Sequence, residues 1–185
     1  MRFWLLTNTT YGTWLPGDTR GSVTSVRDFR PGDAPSLVRI EHDRPGEAWE
    51  KSLPGLHRSS QQAMRGPAVY LVLAQAERLL AQFQETAVYR QWTLHAVAIM
   101  ANHFHLVIEV PGDPDPRKVL ADLKAYGTRA LSREFGKPAS GTWWTSRGSK
   151  RKLPDARAVA SAIDYVLYKQ ERALVVWSRE LGRLL

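Results

Sequence analysis

Cysteine is missing altogether from this 185-residue chain. That excludes disulfides, thiolate metal sites and cysteine nucleophiles, and it suits a reducing compartment. Long hydrophobic runs are missing too, since no apolar stretch approaches the ~20 residues a membrane helix needs. The opening "MRFWLLTNTTYGTW" has too short an apolar core for a secretory signal, with no small-residue cleavage pattern after it. Neither repeats nor low-complexity tracts occur. The expectation is a soluble, cytoplasmic protein with no membrane partner. The 43% apolar and 10% aromatic content is enough for a packed core, so one folded domain is expected over 1–185.

Acidic charge is scarce in one place. Between Arg117 and Lys152 ten basic residues face only Asp122 and Glu134. That surplus equals the net charge of the whole chain, +8, so the other 16 basic and 16 acidic residues cancel. A cationic window of this kind attracts polyanions, and nucleic acid is the commonest inside a cell. A solvated basic face that keeps the protein soluble is the plainer alternative.

Periodicity gives the order of elements. "RFWLLTNTTY" reads as a strand, rich in aromatic and β-branched residues. Residues 20–66 are dominated by glycine, proline and charge, and read as a long loop-rich insertion. "GPAVYLVLAQAERLLAQFQETAVYRQ" opens with proline and is apolar at helical spacing. "WTLHAVAIM" and "HFHLVIEV" form a hairpin about the turn "AN". A helix over "RKVLADLKAYGTRALSREFG" ends at Gly136. "GTWWTS" reads as a short fourth strand and "RGSKRKLP" as a basic loop. A helical extension over 155–185 completes the chain, with Leu174, Trp177, Leu181 and Leu184 as an amphipathic tail. The class is α+β: a ferredoxin-like βαββαβ core with an antiparallel sheet, a long insertion after the first strand and added C-terminal helices.

The strand "HFHLVIEV" carries the chemistry. His103 and His105 are two residues apart, so a strand turns both to one face, together with Val107 and Glu109. Phe104, Leu106, Ile108 and Val110 take the other face and are all apolar. Two histidines on one face can share a transition-metal ion. A cupin-type metal site needs a further histidine on a later strand. None follows His105, and helices are expected where more strands should be. His95 reads as structural, and His42 and His57 take no role.

"MANHFHLVIEV" resembles the M-P-N-H-x-H-hydrophobic signature of single-tyrosine HUH transposases, the group that contains the REP-associated tyrosine transposases. "TTYGTWLPGDTRG", "LKAYGTRAL", "WWTSRGSKRKL" and "AIDYVLYKQ" are similar to other blocks of one branch of that family, in the same order. Residues 20–66 match only loosely. The resemblance implies that His103 and His105 hold Mg²⁺ or Mn²⁺ at the phosphate to be cut. It also implies a tyrosine nucleophile on the helix after the histidine strand, a 5′-phosphotyrosine link and a free 3′-OH.

By position that nucleophile is Tyr126. A phenol near pKa 10 attacks slowly at pH 7 unless its ionised form is favoured. A metal ion and cations such as Lys124 and Arg129 would favour it. Tyr165 and Tyr168 on the next helix are the runners-up. Relatives often carry a third metal ligand one turn after the tyrosine; that position here is Ala130, which has no donor, so Asp122 or water takes the role. Glu109 shares the histidine face but lies four strand residues from His105, about 13 Å.

The resemblance further implies single-stranded or hairpin DNA as partner, no small-molecule substrate, and a homodimer. DNA contacts are expected from Lys124, Arg129, Arg133, Arg147, Lys150, Arg151 and Lys152, with Trp143 and Trp144 stacking on bases. Core packing is the competing role for the two tryptophans. Two functions follow: a metal-dependent transposase and endonuclease that cuts and rejoins single-stranded DNA, or a domesticated hairpin DNA- or RNA-binding protein that does not cut. Intact His103, His105 and Tyr126 favour the first; Ala130 favours the second.

Overall fold

The computed structural model describes residues 1–19 and 53–184. They fall into two compact units, residues 1–13 with 65–184, and residues 14–19 with 53–64. Most of the expected insertion, residues 20–52, lies outside the described residues.

The larger unit is built on a six-stranded sheet. Its strands are β1 (Arg2–Thr9), β2 (Thr93–Met100), β3 (His103–Val110), β4 (Ser149–Leu153), β5 (Ala173–Ser178) and β6 (Gly182–Arg183). Their order is β4-β1-β3-β2-β5-β6, with every neighbouring pair antiparallel. The first four strands reproduce the expected ferredoxin-like core. In the smaller unit, α1 (Pro54–Gln62) falls inside the expected loop-rich stretch. Gly17 there takes φ 81°, and a Cβ on it would lie 2.5 Å from the Leu53 carbonyl oxygen.

Helices α2 (Leu73–Tyr89) and α3 (Pro116–Phe135) cover one face of the sheet, and α4 (Ala156–Tyr168) covers the other. The first face packs Leu6, Phe104, Leu106 and Ile108 against Leu79, Phe83, Leu123 and Leu131. The second packs Leu5, Ala98, Val107 and Val176 against Ala162 and Val166. The two helices of the first layer approach closely at Gly127, where a Cβ would stand 2.8 Å from Leu79 Cδ1. Asp115 caps α3 by accepting from the Arg117 N–H at 2.9 Å, and Gly136 ends the helix with φ 78°.

Three local expectations need correction. Helix α2 begins at Leu73, because Val69 and Leu71 donate their N–H groups to the Tyr11 and Ala101 carbonyls and hold 69–71 extended. The fourth strand is "SKRKL", not "GTWWTS". As an edge strand it buries only Leu153, so it carries no apolar alternation, and its cations guard an open edge. The tail beyond Tyr168 is not helical. "ALVVWS" pairs with β2, and the β-branched pair Val175 and Val176 buries on the two faces. No described helix is long and apolar enough to cross a membrane.

Candidate active site

Alternation along β3 turns His103, His105, Val107 and Glu109 toward the α4 layer. The two imidazoles lie edge to face, with ring centroids 4.8 Å apart at 85°. His105 is 8% exposed, and burial, reinforced by His103, holds its pKa down to about 3. It is therefore a neutral imidazole at physiological pH, the form that binds metals.

Each ring is gripped through Nδ1. His105 Nδ1 lies 2.6 Å from Thr7 Oγ1, on the neighbouring strand at the paired position. His103 Nδ1 donates to Asn102 Oδ1 at 2.6 Å. Asn102 is itself pinned: its carbonyl accepts from the Thr10 N–H (2.8 Å), Thr10 Oγ1 (3.0 Å) and Thr13 Oγ1 (3.1 Å). The segment after β1 thus anchors the turn that launches the histidine strand.

The tyrosine beside this pair is Tyr165. Its ring centroid is 5.3 Å from that of His105 at 74°, and it is 40% exposed. One face of α4 buries Ala162 and Val166 on the sheet, which sets Tyr165 at the margin of the helix over the histidines. Tyr168 follows one turn later and is 62% exposed.

The structure does not bring Tyr126 or Asp122 to the histidines. Both are on α3, which packs on the opposite face of the sheet. Tyr126 sits beside the end of α2, with its ring centroid 6.3 Å from that of Tyr89 and the Arg129 guanidinium 4.7 Å above it. Asp122 is paired with Arg90 at 2.8 Å, so its carboxylate already has a cation. Glu109 is 3.2 Å from His95 Nε2, at the far end of β3. Among the described residues no group of three or more histidine, aspartate or glutamate side chains gathers to hold a metal.

The basic window divides. Trp143 and Trp144 are core residues, 4% and 5% exposed; their indole N–H groups donate to Ser132 and Thr128, and Trp144 packs edge-on against Phe104. Burial withdraws both rings from stacking on bases. Lys124 is half-buried and donates to the Thr145 carbonyl at 2.5 Å, stitching α3 to the segment before β4. Burial, helped by Lys150, holds its pKa down to about 8. Lys150 donates to the Gly148 carbonyl. Arg129, Arg133, Arg147, Arg151 and Lys152 remain exposed. Register places Arg151 opposite Leu5, on the histidine face, and Lys152 opposite Trp4, on the other.

Sequence reasoning named Tyr165 only as a runner-up and missed Thr7. The signal for both was topology. In a βαββαβ core the two helices share one face, so the histidine face stays open for the element that follows.

Residues 69–149 match the family model described as "Transposase IS200 like". That stretch runs from the approach to α2 through α3 to the first residue of β4, and it contains His103 and His105. No curated protein matches the sequence. A solved structure of a REP-associated tyrosine transposase bound to a REP hairpin is similar, at 12% identity and a TM-score of 0.43. The match covers 89% of this chain and 64% of that one, so the chain spans less than two thirds of that protein's length.

Proposed function

We propose that this chain, whose residues 69–149 carry an IS200-like transposase domain, cuts and rejoins single-stranded DNA through a phosphotyrosine intermediate, with Tyr165 as nucleophile. The observation that carries the reading is the gathering of His103, His105 and Tyr165 on one face of the sheet. In the step, Tyr165 Oη attacks a backbone phosphorus and forms the O–P bond. The P–O3′ bond breaks, and the leaving 3′-oxygen takes up a proton in place of the one the phenol gives up. The reverse attack by a 3′-OH restores the phenol and joins the strands.

The donor set suits a divalent cation in part. Two imidazoles, one of them buried and neutral, supply nitrogen donors, and water and phosphate oxygens complete the shell. An all-nitrogen protein contribution suits Mn²⁺ better than Mg²⁺, which seeks oxygen. A bound ion would neutralise charge on the phosphoryl oxygens and the leaving 3′-oxygen. Arg151, exposed on the edge strand and on the same face, is placed to take up backbone phosphate. Hairpin DNA is the proposed substrate form and a homodimer the proposed assembly. The non-cutting alternative keeps one observation in its favour, that no third histidine or carboxylate joins the pair among the described residues.

The test is a covalent adduct. Protein, Mn²⁺ and single-stranded hairpin DNA from the ends of its own gene are run on a denaturing gel. A protein–DNA band should form, disappear in Tyr165→Phe and His103→Ala, and persist in Tyr126→Phe. Loss of the band in Tyr126→Phe with retention in Tyr165→Phe would return the nucleophile to α3. No band, with binding that resists chelators, would support the non-cutting protein.

A further inference from the structure

Metal-site function depends on which imidazole nitrogen is presented, and the structure holds both rings by the same one. A hydroxyl both donates and accepts, so the 2.6 Å contact between Thr7 Oγ1 and His105 Nδ1 permits either tautomer. The Asn102 Oδ1 contact permits one: an amide oxygen only accepts, so His103 Nδ1 carries the proton. We propose that Thr7 is a positioning residue that accepts from a protonated His105 Nδ1, so that His105 presents its Nε2 lone pair to a divalent cation alongside His103. This rests on reading the histidine pair as a metal site.

Three observations support it. Thr7 is the direct cross-strand partner of His105, so a single backbone register fixes the hydroxyl against the ring. The His105 ring is buried and the hydroxyl half-buried, so water competes poorly for Nδ1. The neighbouring ring is held in the matching tautomer by a residue whose backbone is fixed, since three donors from Thr10 and Thr13 converge on the Asn102 carbonyl. The half-buried hydroxyl of Thr7 thus gains a role in the site although it touches no substrate. Partners of this kind raise the basicity of a ligating imidazole and fix its orientation.

Mn²⁺ alone is the probe, titrated into DNA-free protein and followed by calorimetry. The wild type should bind, and His105→Ala should abolish binding. Thr7→Val, which keeps the shape and strand preference of threonine, should weaken Mn²⁺ about 10- to 100-fold. Thr7→Ser should restore wild-type affinity, which a merely structural loss would not allow. In metal-free wild type at neutral pH, long-range ¹⁵N–¹H NMR should show His105 protonated at Nδ1; protonation at Nε2 overturns the proposal. The NMR measurement also decides the matter if Thr7→Val does not fold. Wild-type binding unchanged in Thr7→Val overturns this inference alone. A wild type that takes up no Mn²⁺ overturns the metal reading beneath it.

Discussion

Acidification should unfold this protein partly through one imidazole. His105 has a pKa of about 3 in the folded chain and the ordinary 6.5 when exposed. Below pH 6.5 the unfolded state takes up a proton that the folded state refuses, so stability falls as pH drops, down to about 3. Between pH 7.5 and 5 that difference amounts to about 2 kcal/mol, since each unit of pKa is worth about 1.4 kcal/mol. Urea unfolding in the presence of a chelator at both pH values would measure it, against His105→Asn as the reference. The variant keeps the rest of the chain, so the difference of slopes reports this ring together with its coupling to His103. The wild type should lose about 2 kcal/mol more than the variant over that interval. Equal losses would refute the claim that burial keeps His105 neutral, and with it the argument that a ready nitrogen donor exists at physiological pH.

Two further outcomes follow from the packing. Gly148→Ala should destabilise the fold by about 1–3 kcal/mol in urea midpoints, since the added Cβ would stand 2.6 Å from both Asn8 Oδ1 and the Thr7 carbonyl and 2.7 Å from Leu120 Cδ2. Arg151→Gln should leave stability within about 0.5 kcal/mol, yet weaken DNA binding across sequences and reduce the salt slope by about 1. An unchanged slope would remove Arg151 from the DNA-facing surface.

The sequence reported some features directly and others in disguise. The hairpin of β2 and β3 was legible because His103 and His105 break the alternation on one face only, while Phe104 to Val110 keep the other apolar. Strand β4 was hidden because Lys150, Arg151 and Lys152 give no apolar alternation at an edge. Strand β5 was hidden by coincidence: Leu174, Trp177, Leu181 and Leu184 mimic helical spacing, whereas adjacent Val175 and Val176 reflect a strand covered on both faces. The histidine pair needed only a period of two. Placing the tyrosine needed knowledge of which sheet face each helix covers, and no local pattern around Tyr126 or Tyr165 states that. Trp143 and Trp144 show the same limit, since aromatic rings beside cations look alike whether they stack on bases or fill a core.

Strand β3 ties the core and the histidines to a single count of residues. Substitutions on its two faces can be made almost independently, because Phe104 and His105 meet different layers. An insertion of one residue between Asn102 and His103 has no such freedom. It would turn the histidines beyond it inward among Phe83 and Trp144, and turn the phenylalanine outward beneath α4. Change in this strand is therefore open by exchange and closed by length, and the turn at Ala101 and Asn102 is where that restriction is enforced.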